Sequence, residues 1–186
     1  MAEHACRYTA AMWKTFAAIA ACCLSAAVLL AQSAAGVRWT PPAGWQAQPA
    51  QAMRAATYSV PPAPGDKAPG ECAVYFFGAG QGGSIEDNLE RWKSQFRAAD
   101  GKPATAQVGT RTVRGMKVTT IDSSGEYSGL GGPMAPAHPV AGYRLLGAIV
   151  EAPGGNIFVK FTGPLATVGA ARQKFDQLIA SFQPAR

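Results

Sequence analysis

Apolar side chains recur at helical spacing in two parts of the chain. The first stripe begins just after Ser84, a good N-cap residue, and consists of Ile85, Leu89, Trp92 and Phe96. It predicts a helix over about 84–98. The second stripe predicts a helix over about 165–182 and consists of Val168, Ala171, Phe175, Leu178, Ile179 and Phe182.

Other segments are rich in β-branched and aromatic residues and are bounded by turn residues, which is typical of strands. In the last of them Ile157, Val159 and Phe161 point one way, and Phe158, Lys160 and Thr162 point the other. Arg114–Gly115 and Pro153–Gly155 are the turns of two predicted hairpins. The predicted strands are 53–60, 72–77, 105–113, 116–121, 144–151 and 156–162. Hairpins and two amphipathic helices together predict an antiparallel sheet covered by helices, an α+β sandwich.

The N-terminal pattern predicts export. Lys14 precedes the apolar run 15–30, and the small residues 31–35 follow it, as in a signal peptide. We therefore expect a signal peptide over 1–35, cleavage after Ala35, and a single domain over 36–186. The expected location is the periplasm or the extracellular space.

Three features of this segment leave alternatives open. Met12 followed by Trp13 and Lys14 would make a cleaner start than Met1. The sequence Ile19–Cys22 matches a lipobox, so lipidation of Cys22 would tether the chain to a membrane. An uncleaved anchor is the third alternative, although the apolar run is short for a spanning helix. Contact with a membrane is expected only through such an uncleaved or lipidated N-terminus.

Cysteine usage argues against a disulfide-bonded domain, and the distribution of charge argues against a nucleic-acid-binding protein. Three of the 4 cysteines precede residue 24, so Cys72 has no disulfide partner in the predicted domain, and its apolar strand predicts a buried thiol. The net charge is +6, but the basic residues are scattered and form no run. We therefore expect no binding to nucleic acid.

Four blocks of sequence resemble a family of exported bacterial proteins of unknown function. They are GAGQGGSIEDNLERWKSQF (78–96), SGEYSG (124–129), GYRLLGAIVE (142–151) and NIFVKFTGP (156–164). The order of elements from Gly44–Trp45 onward is also similar to that of PsbP-like domains, which are α/β/α sandwiches on an antiparallel sheet. This resemblance implies a non-enzymatic accessory or partner-binding module, with no catalytic residues to transfer.

Gly78, Gly80 and Gly83 match the spacing of a dinucleotide-binding fingerprint. That fingerprint needs a buried parallel strand after the helix, and 104–112 is too polar to supply one. A glycine-rich turn that reverses the chain is the favoured interpretation. An anion held at the helix N-terminus is an alternative.

Candidate ligand-binding residues lie at this turn and on the polar flank of the following helix. Asn88 and Gln95, seven residues apart, are expected either to bond a neighbouring loop or strand end or to face a ligand beside Arg91. Trp39, Trp45 and Trp92 are expected in the core, and Phe158 is the one aromatic strand residue suited to a ligand platform. The candidate ligand-binding residues are Gly80, Gln81, Gly82, Gly83, Asn88 and Arg91.

Metal, cofactor and catalytic chemistry have little support in the sequence. His138 is the one histidine after the predicted signal, and with Met134 it makes too small a ligand set for copper or zinc. We therefore expect an exported, non-catalytic domain without a cofactor or metal that binds a protein or small-molecule partner. The alternative is an enzyme of unrecognised type with its site at the turn 78–83 and the loop 125–142.

Overall fold

A computed structural model describes residues 32–129 and 139–185, which form two antiparallel sheets and three helices. The small sheet has the order β1-β2-β11, and the large one has the order β3-β4-β5-β10-β9-β8-β6, with β7 also paired to β8. The strands are β1 Gln32–Ala34, β2 Val37–Trp39, β3 Gln46–Ala47, β4 Arg54–Val60, β5 Gly70–Tyr75, β6 Phe96–Arg97, β7 Ala106–Val113, β8 Met116–Tyr127, β9 Val140–Ala152, β10 Gly155–Pro164 and β11 Gln183–Pro184. The helices are α1 Ile85–Lys93, α2 Leu165–Ala170 and α3 Arg172–Ser181. The α+β class and the mainly antiparallel sheet are confirmed.

Both predicted hairpins are present. β7 and β8 join through Arg114 and Gly115, whose φ angles of 46° and 84° are typical of the tight turn that matches strand twist. β9 and β10 pair from Gly155 with Ala152 to Pro164 with Tyr143. The strands run further than predicted because pairing continues into the loop predicted over 125–142, of which 130–138 lies outside the described residues.

Side chains on the two faces of the large sheet enter different core clusters. On β9, Leu146 and Val150 join the cluster that contains Phe175 and Leu178 of α3. Leu145 and Ile149, which alternate with them, join the cluster that contains Leu89 and Trp92 of α1. On β10 the predicted alternation holds, because Ile157, Val159 and Phe161 enter the first cluster and Phe158 enters the second.

Both predicted helices are too long. The first ends at Lys93, not near 98, because Phe96 enters β6, is buried, and packs against Tyr127 with ring centroids 4.8 Å apart. The second breaks at Ala171 and ends at Ser181. Phe182 is extended there so that its ring can stack on Trp39, with centroids 5.1 Å apart, and β11 can pair with β2.

The predicted cleavage point falls in the turn of the β1–β2 hairpin. Ala35 is buried, and its carbonyl oxygen accepts a hydrogen bond from the Gly154 amide at 2.9 Å. Cleavage after Ala35 stays a prediction, and it would remove β1 and this acceptor. Among the described residues, no helix is long and apolar enough to cross a membrane.

Candidate functional site

The glycine-rich turn predicted to bind a ligand lies between β5 and α1. Gly80, Gly82 and Gly83 have φ angles of 68°, 94° and 82°, conformations that glycine adopts without strain. Gly80, Gln81 and Gly83 are exposed, whereas the backbone of Gly82 lies against the ring of Phe158. The glycines therefore allow the chain to reverse closely over the sheet before the helix begins.

Asn88 holds this turn to the helix. Its side chain is 1% exposed, and its Nδ2 donates to the carbonyl oxygens of Gly82 at 2.8 Å and Ser84 at 2.7 Å. Its Oδ1 accepts a hydrogen bond from the guanidinium of Arg91. The expectation that polar residues beside the stripe bond a neighbouring loop is confirmed for Asn88.

We expect Gly82→Ala to destabilise the protein more than Gly80→Ala. Both glycines have positive φ, but a Cβ at Gly82 would lie 2.7 Å from the Phe158 ring and 2.8 Å from the Phe77 ring, whereas a Cβ at Gly80 would meet open space. The shared backbone strain costs about 1 kcal/mol, and the clash adds about 1–3 kcal/mol at Gly82 alone. Urea titration of both variants measures the difference. Equal losses would show that the turn does not pack on Phe158.

The start of α1 is already occupied by the chain's own acidic groups. Ser84 Oγ accepts from the Asp87 amide at 3.0 Å and donates to Asp87 Oδ2 at 2.7 Å, and Glu86 stands in the same turn. These carboxylates complement the positive end of the helix. A bound anion would meet like charges there, so the geometry gives no support to the anion alternative.

Arg91 borders a cavity of about 240 Å³ between α1 and the large sheet. The ring of Phe77 is 36% exposed at its rim, and Phe158 is buried beneath it, so Phe158 belongs to the core and is not an open platform. The cavity is lined by Tyr75, Phe77, Arg91, Trp92, Gln95, Phe158 and Lys160.

A second cavity, of about 430 Å³, lies on the same face of the sheet and shares Tyr75 and Lys160 with the first. Three tyrosines from β5, β8 and β9 border it, and Arg54 and Glu71 form an ion pair at 2.9 Å beside them. We call the two cavities together the Lys160 groove. The second cavity is lined by Arg54, Pro69, Glu71, Ala73, Tyr75, Tyr127, Gly129, Tyr143, Lys160, Thr162 and Gly163.

Lys160 stands between the two cavities, on the face of β10 that also carries Phe158. Its Nζ donates to Gln95 Oε1 at 2.7 Å and to Tyr127 Oη at 2.9 Å. The same Nζ lies 5.3 Å from the centre of the Tyr127 ring. Gln95 thus bonds a residue in the middle of β10, and not the loop or strand end expected for a polar residue beside the helix stripe. These bonds fix the direction of the Lys160 side chain.

Burial shifts the pKa values of both Lys160 and Tyr127. It lowers the pKa of Lys160 to about 8, and the positive charge of Arg91 acts in the same direction. Burial, and then the neighbouring Tyr75, raise the pKa of Tyr127 to about 12. At neutral pH Lys160 is therefore a partly desolvated cation hydrogen-bonded to an uncharged amide and an uncharged phenol.

Flat rings border the groove on both sides of Lys160. Tyr127 and Tyr143 stack with centroids 5.8 Å apart and planes 5° from parallel. Tyr75 and Phe77 stack at 5.9 Å and 15°, and the guanidinium of Arg54 lies 5.4 Å from the centre of the Tyr75 ring. The groove therefore offers apolar ring surface together with positive charge.

The sequence identified part of this site and missed its centre. Of the six candidate residues, Arg91 lines the groove, and Gly82 and Asn88 have structural roles close to it. Lys160 was visible as a lysine on the same strand face as Phe158, but its distance from Gln95 and Tyr127 depends on strand pairing. Of the two regions predicted for an enzyme site, the described part of 125–142 contributes Tyr127 and Gly129 to the second cavity, whereas the turn 78–83 contributes no lining residue to either cavity.

A further cavity, of about 370 Å³, lies between β7 and α3. Asp122 on its wall accepts two hydrogen bonds from Arg144, at 2.9 and 2.7 Å, and another from Arg172. Arg111 of β7 pairs with Asp176 of α3 at 3.2 Å. The charged groups that line this cavity are therefore already paired with one another. The pair of Arg111 with Asp176 connects β7 to α3.

Cys72 is fully buried, as predicted, and burial raises the pKa of its thiol well above the ordinary value. In the described part of the chain, no group of three or more His, Cys, Asp or Glu side chains is arranged to hold a metal ion. Met134 and His138, the candidate metal ligands in the sequence, lie outside the described residues.

No family model matches the sequence, and no curated protein matches it. Comparison with solved structures assigns the chain a PsbP-like α+β fold. The solution structure of cyanobacterial PsbP (CyanoP) from Synechocystis sp. PCC 6803 matches with a TM-score of 0.50 and 12% identity, over 81% of this chain and 88% of that one. The crystal structure of a protein of unknown function from Pseudomonas aeruginosa matches with a TM-score of 0.49 and 12% identity, over 80% of this chain and 92% of that one.

Proposed function

We propose that this chain is an exported, non-catalytic PsbP-like domain that binds a small organic ligand in the Lys160 groove. The observation that carries the proposal is the meeting of two cavities, of about 240 and 430 Å³, at Lys160 and Tyr75. Ligand sites are typically concave, rich in apolar and aromatic side chains, and equipped with a few fixed polar groups. The groove has each of these properties.

The groove is held on regular elements of the fold. Tyr75, Tyr127, Tyr143 and Lys160 come from β5, β8, β9 and β10 of one sheet, and α1 adds Arg91. The layered α/β/α arrangement expected from the sequence is part of this proposal. It is supported by the two core clusters on opposite faces of the sheet, one with α1 and the other with α2 and α3.

The neutral fluorophore N-phenyl-1-naphthylamine tests whether the groove accepts a small apolar molecule. We expect its fluorescence to rise on adding the purified protein, and its affinity to fall at least about tenfold in Ala73→Leu, because the larger side chain fills the cavity of about 430 Å³. Gln107→Leu, in the cavity between β7 and α3, is the matched control and should bind normally. Thermal unfolding establishes that both variants are folded. Unchanged binding in Ala73→Leu, or equal losses in both variants, would contradict the proposal.

Export is the second part of the proposal, and it is supported by the signal-like pattern of 1–35. N-terminal sequencing of protein recovered from outside the cytoplasm is the test. We expect it to begin within a few residues of Gly36. Material that begins at a lipidated Cys22 or retains Met1 would contradict cleavage after Ala35.

A further inference from the structure

We infer that the ligand of the Lys160 groove is a small aromatic carboxylate, whose anionic group pairs with Lys160 and whose ring packs among the tyrosines. This inference rests on the proposed function and adds the chemical class of the ligand.

Lys160 has no anionic partner in the described part of the chain. Its two hydrogen-bond acceptors, Gln95 Oε1 and Tyr127 Oη, are both uncharged at neutral pH. Glu71 is the one acidic residue among the described residues that line the groove, and it forms an ion pair with Arg54. A lysine ammonium has three donors, so one N–H of Lys160 remains for a ligand. A cation that is partly removed from water gains most from a counter-ion.

The described residues that line the groove carry a net positive charge. Arg54, Arg91 and Lys160 line the groove, against the single carboxylate of Glu71. The charges of Arg91 and Arg54 act to lower the pKa of Lys160, and that of Glu71 acts to raise it. The positive charges therefore oppose one another across the groove, and the carboxylate of Glu71 offsets them in part. An anionic group bound beside Lys160 relieves this repulsion, whereas a cationic ligand would increase it.

The charge at Lys160 favours a carboxylate over a phosphate group. Arg54 is paired with the carboxylate of Glu71, and Arg91 is exposed at the edge of the groove. Lys160 is therefore the part-buried cation of the groove that lacks a carboxylate partner among the described residues. A single ammonium group matches a group of one negative charge. Phosphate sites usually combine several donors, such as guanidinium forks or a run of backbone N–H groups.

The aromatic rings around Lys160 favour a flat ring as the rest of the ligand. The rings of Tyr75 and Phe77 stand on one side of Lys160, and those of Tyr127 and Tyr143 on the other. Such rings favour offset or edge contacts with another flat ring. Among the described residues, the aliphatic lining is confined to Pro69 and Ala73, which is little surface for a long alkyl chain. An aromatic acid therefore fits the groove better than a fatty acid.

Calorimetric titration of the purified protein with 2-naphthoate and 2-naphthamide tests this inference, because the two compounds share a ring system and differ in charge. We expect 2-naphthoate to bind at least about tenfold more tightly, a difference of about 1.4 kcal/mol. Lys160→Met keeps most of the side-chain length and removes the charge, so it should abolish this preference. Lys117→Met, at an exposed lysine paired with Glu151, is the matched control and should retain it.

Equal binding of the two compounds to the unaltered protein would overturn the charge inference and leave the proposed function standing. Failure of both to bind, while N-phenyl-1-naphthylamine still binds, would overturn the ligand class. Failure of all three compounds would overturn the proposed function as well. The comparison of the acid with the amide needs no variant, so it remains decisive if Lys160→Met does not fold.

Discussion

Replacing Trp92 with alanine is expected to lower the free energy of unfolding by about 3–5 kcal/mol, the usual range for emptying a buried aromatic site. Trp92 is 4% exposed and packs directly over Gly147 of β9, where a Cβ would lie 2.6 Å from the indole ring. The indole therefore attaches α1 to the sheet at the floor of the Lys160 groove. Urea or guanidinium titration measures the loss.

Glu90→Ala is the control for this variant, since Glu90 is exposed on the same helix and makes an ion pair with Lys93. Glu90→Ala should lower the free energy of unfolding by less than about 0.5 kcal/mol. A loss below roughly 1 kcal/mol for Trp92→Ala would mean that the indole is not buried by the sheet. Trp92 would then be available as a ligand platform.

Asp122→Ala is expected to cost about 2–3 kcal/mol at pH 7, because it leaves Arg144 and Arg172 without their shared carboxylate. The Asp122 side chain is 17% exposed and that of Arg144 is 22% exposed, so solvent screens this pair only in part. Asp176→Ala removes the more exposed pair with Arg111 and should cost at most about 1 kcal/mol. Thermal or urea unfolding of the two variants measures the contrast, and similar losses would contradict it.

The same carboxylate gives the stability a predictable dependence on pH. Burial acts to raise the pKa of Asp122, but the hydrogen bonds and charges of Arg144 and Arg172 outweigh it and hold the pKa below the ordinary value. The stabilisation is therefore complete above the unfolded-state pKa of about 3.9 and is lost as the pH falls through the lower folded-state pKa. The difference between the unaltered protein and Asp122→Ala should shrink over that range. A difference that stays constant down to pH 2 would contradict this assignment.

The sequence predicted the parts of the fold that depend on local patterns. Alternation along 156–162 assigned each side chain of β10 to its face, and Arg114–Gly115 located a hairpin turn. The ends of the helices depend on distant partners. Phe96 leaves the helical stripe to pair with Tyr127, and Phe182 leaves it to stack on Trp39, and neither contact is visible within one window of sequence.

The candidate site was predictable to a smaller extent. The glycine-rich turn and Arg91 were identified because their residue types are informative on their own. The tyrosines of the groove lie far apart in the sequence, at 75, 127 and 143, and are brought together by the pairing of β8 with β9 and of β5 with β10. The burial that gives Lys160 its unusual environment arises from that same pairing.

A crystal structure of the protein soaked with 2-naphthoate shows whether the Lys160 groove holds a small aromatic anion. We expect density for the ring between Tyr75 and Tyr127, with a carboxylate oxygen within hydrogen-bond distance of Lys160 Nζ. Density for the compound in the cavity between β7 and α3, or a carboxylate turned away from Lys160, would contradict this expectation.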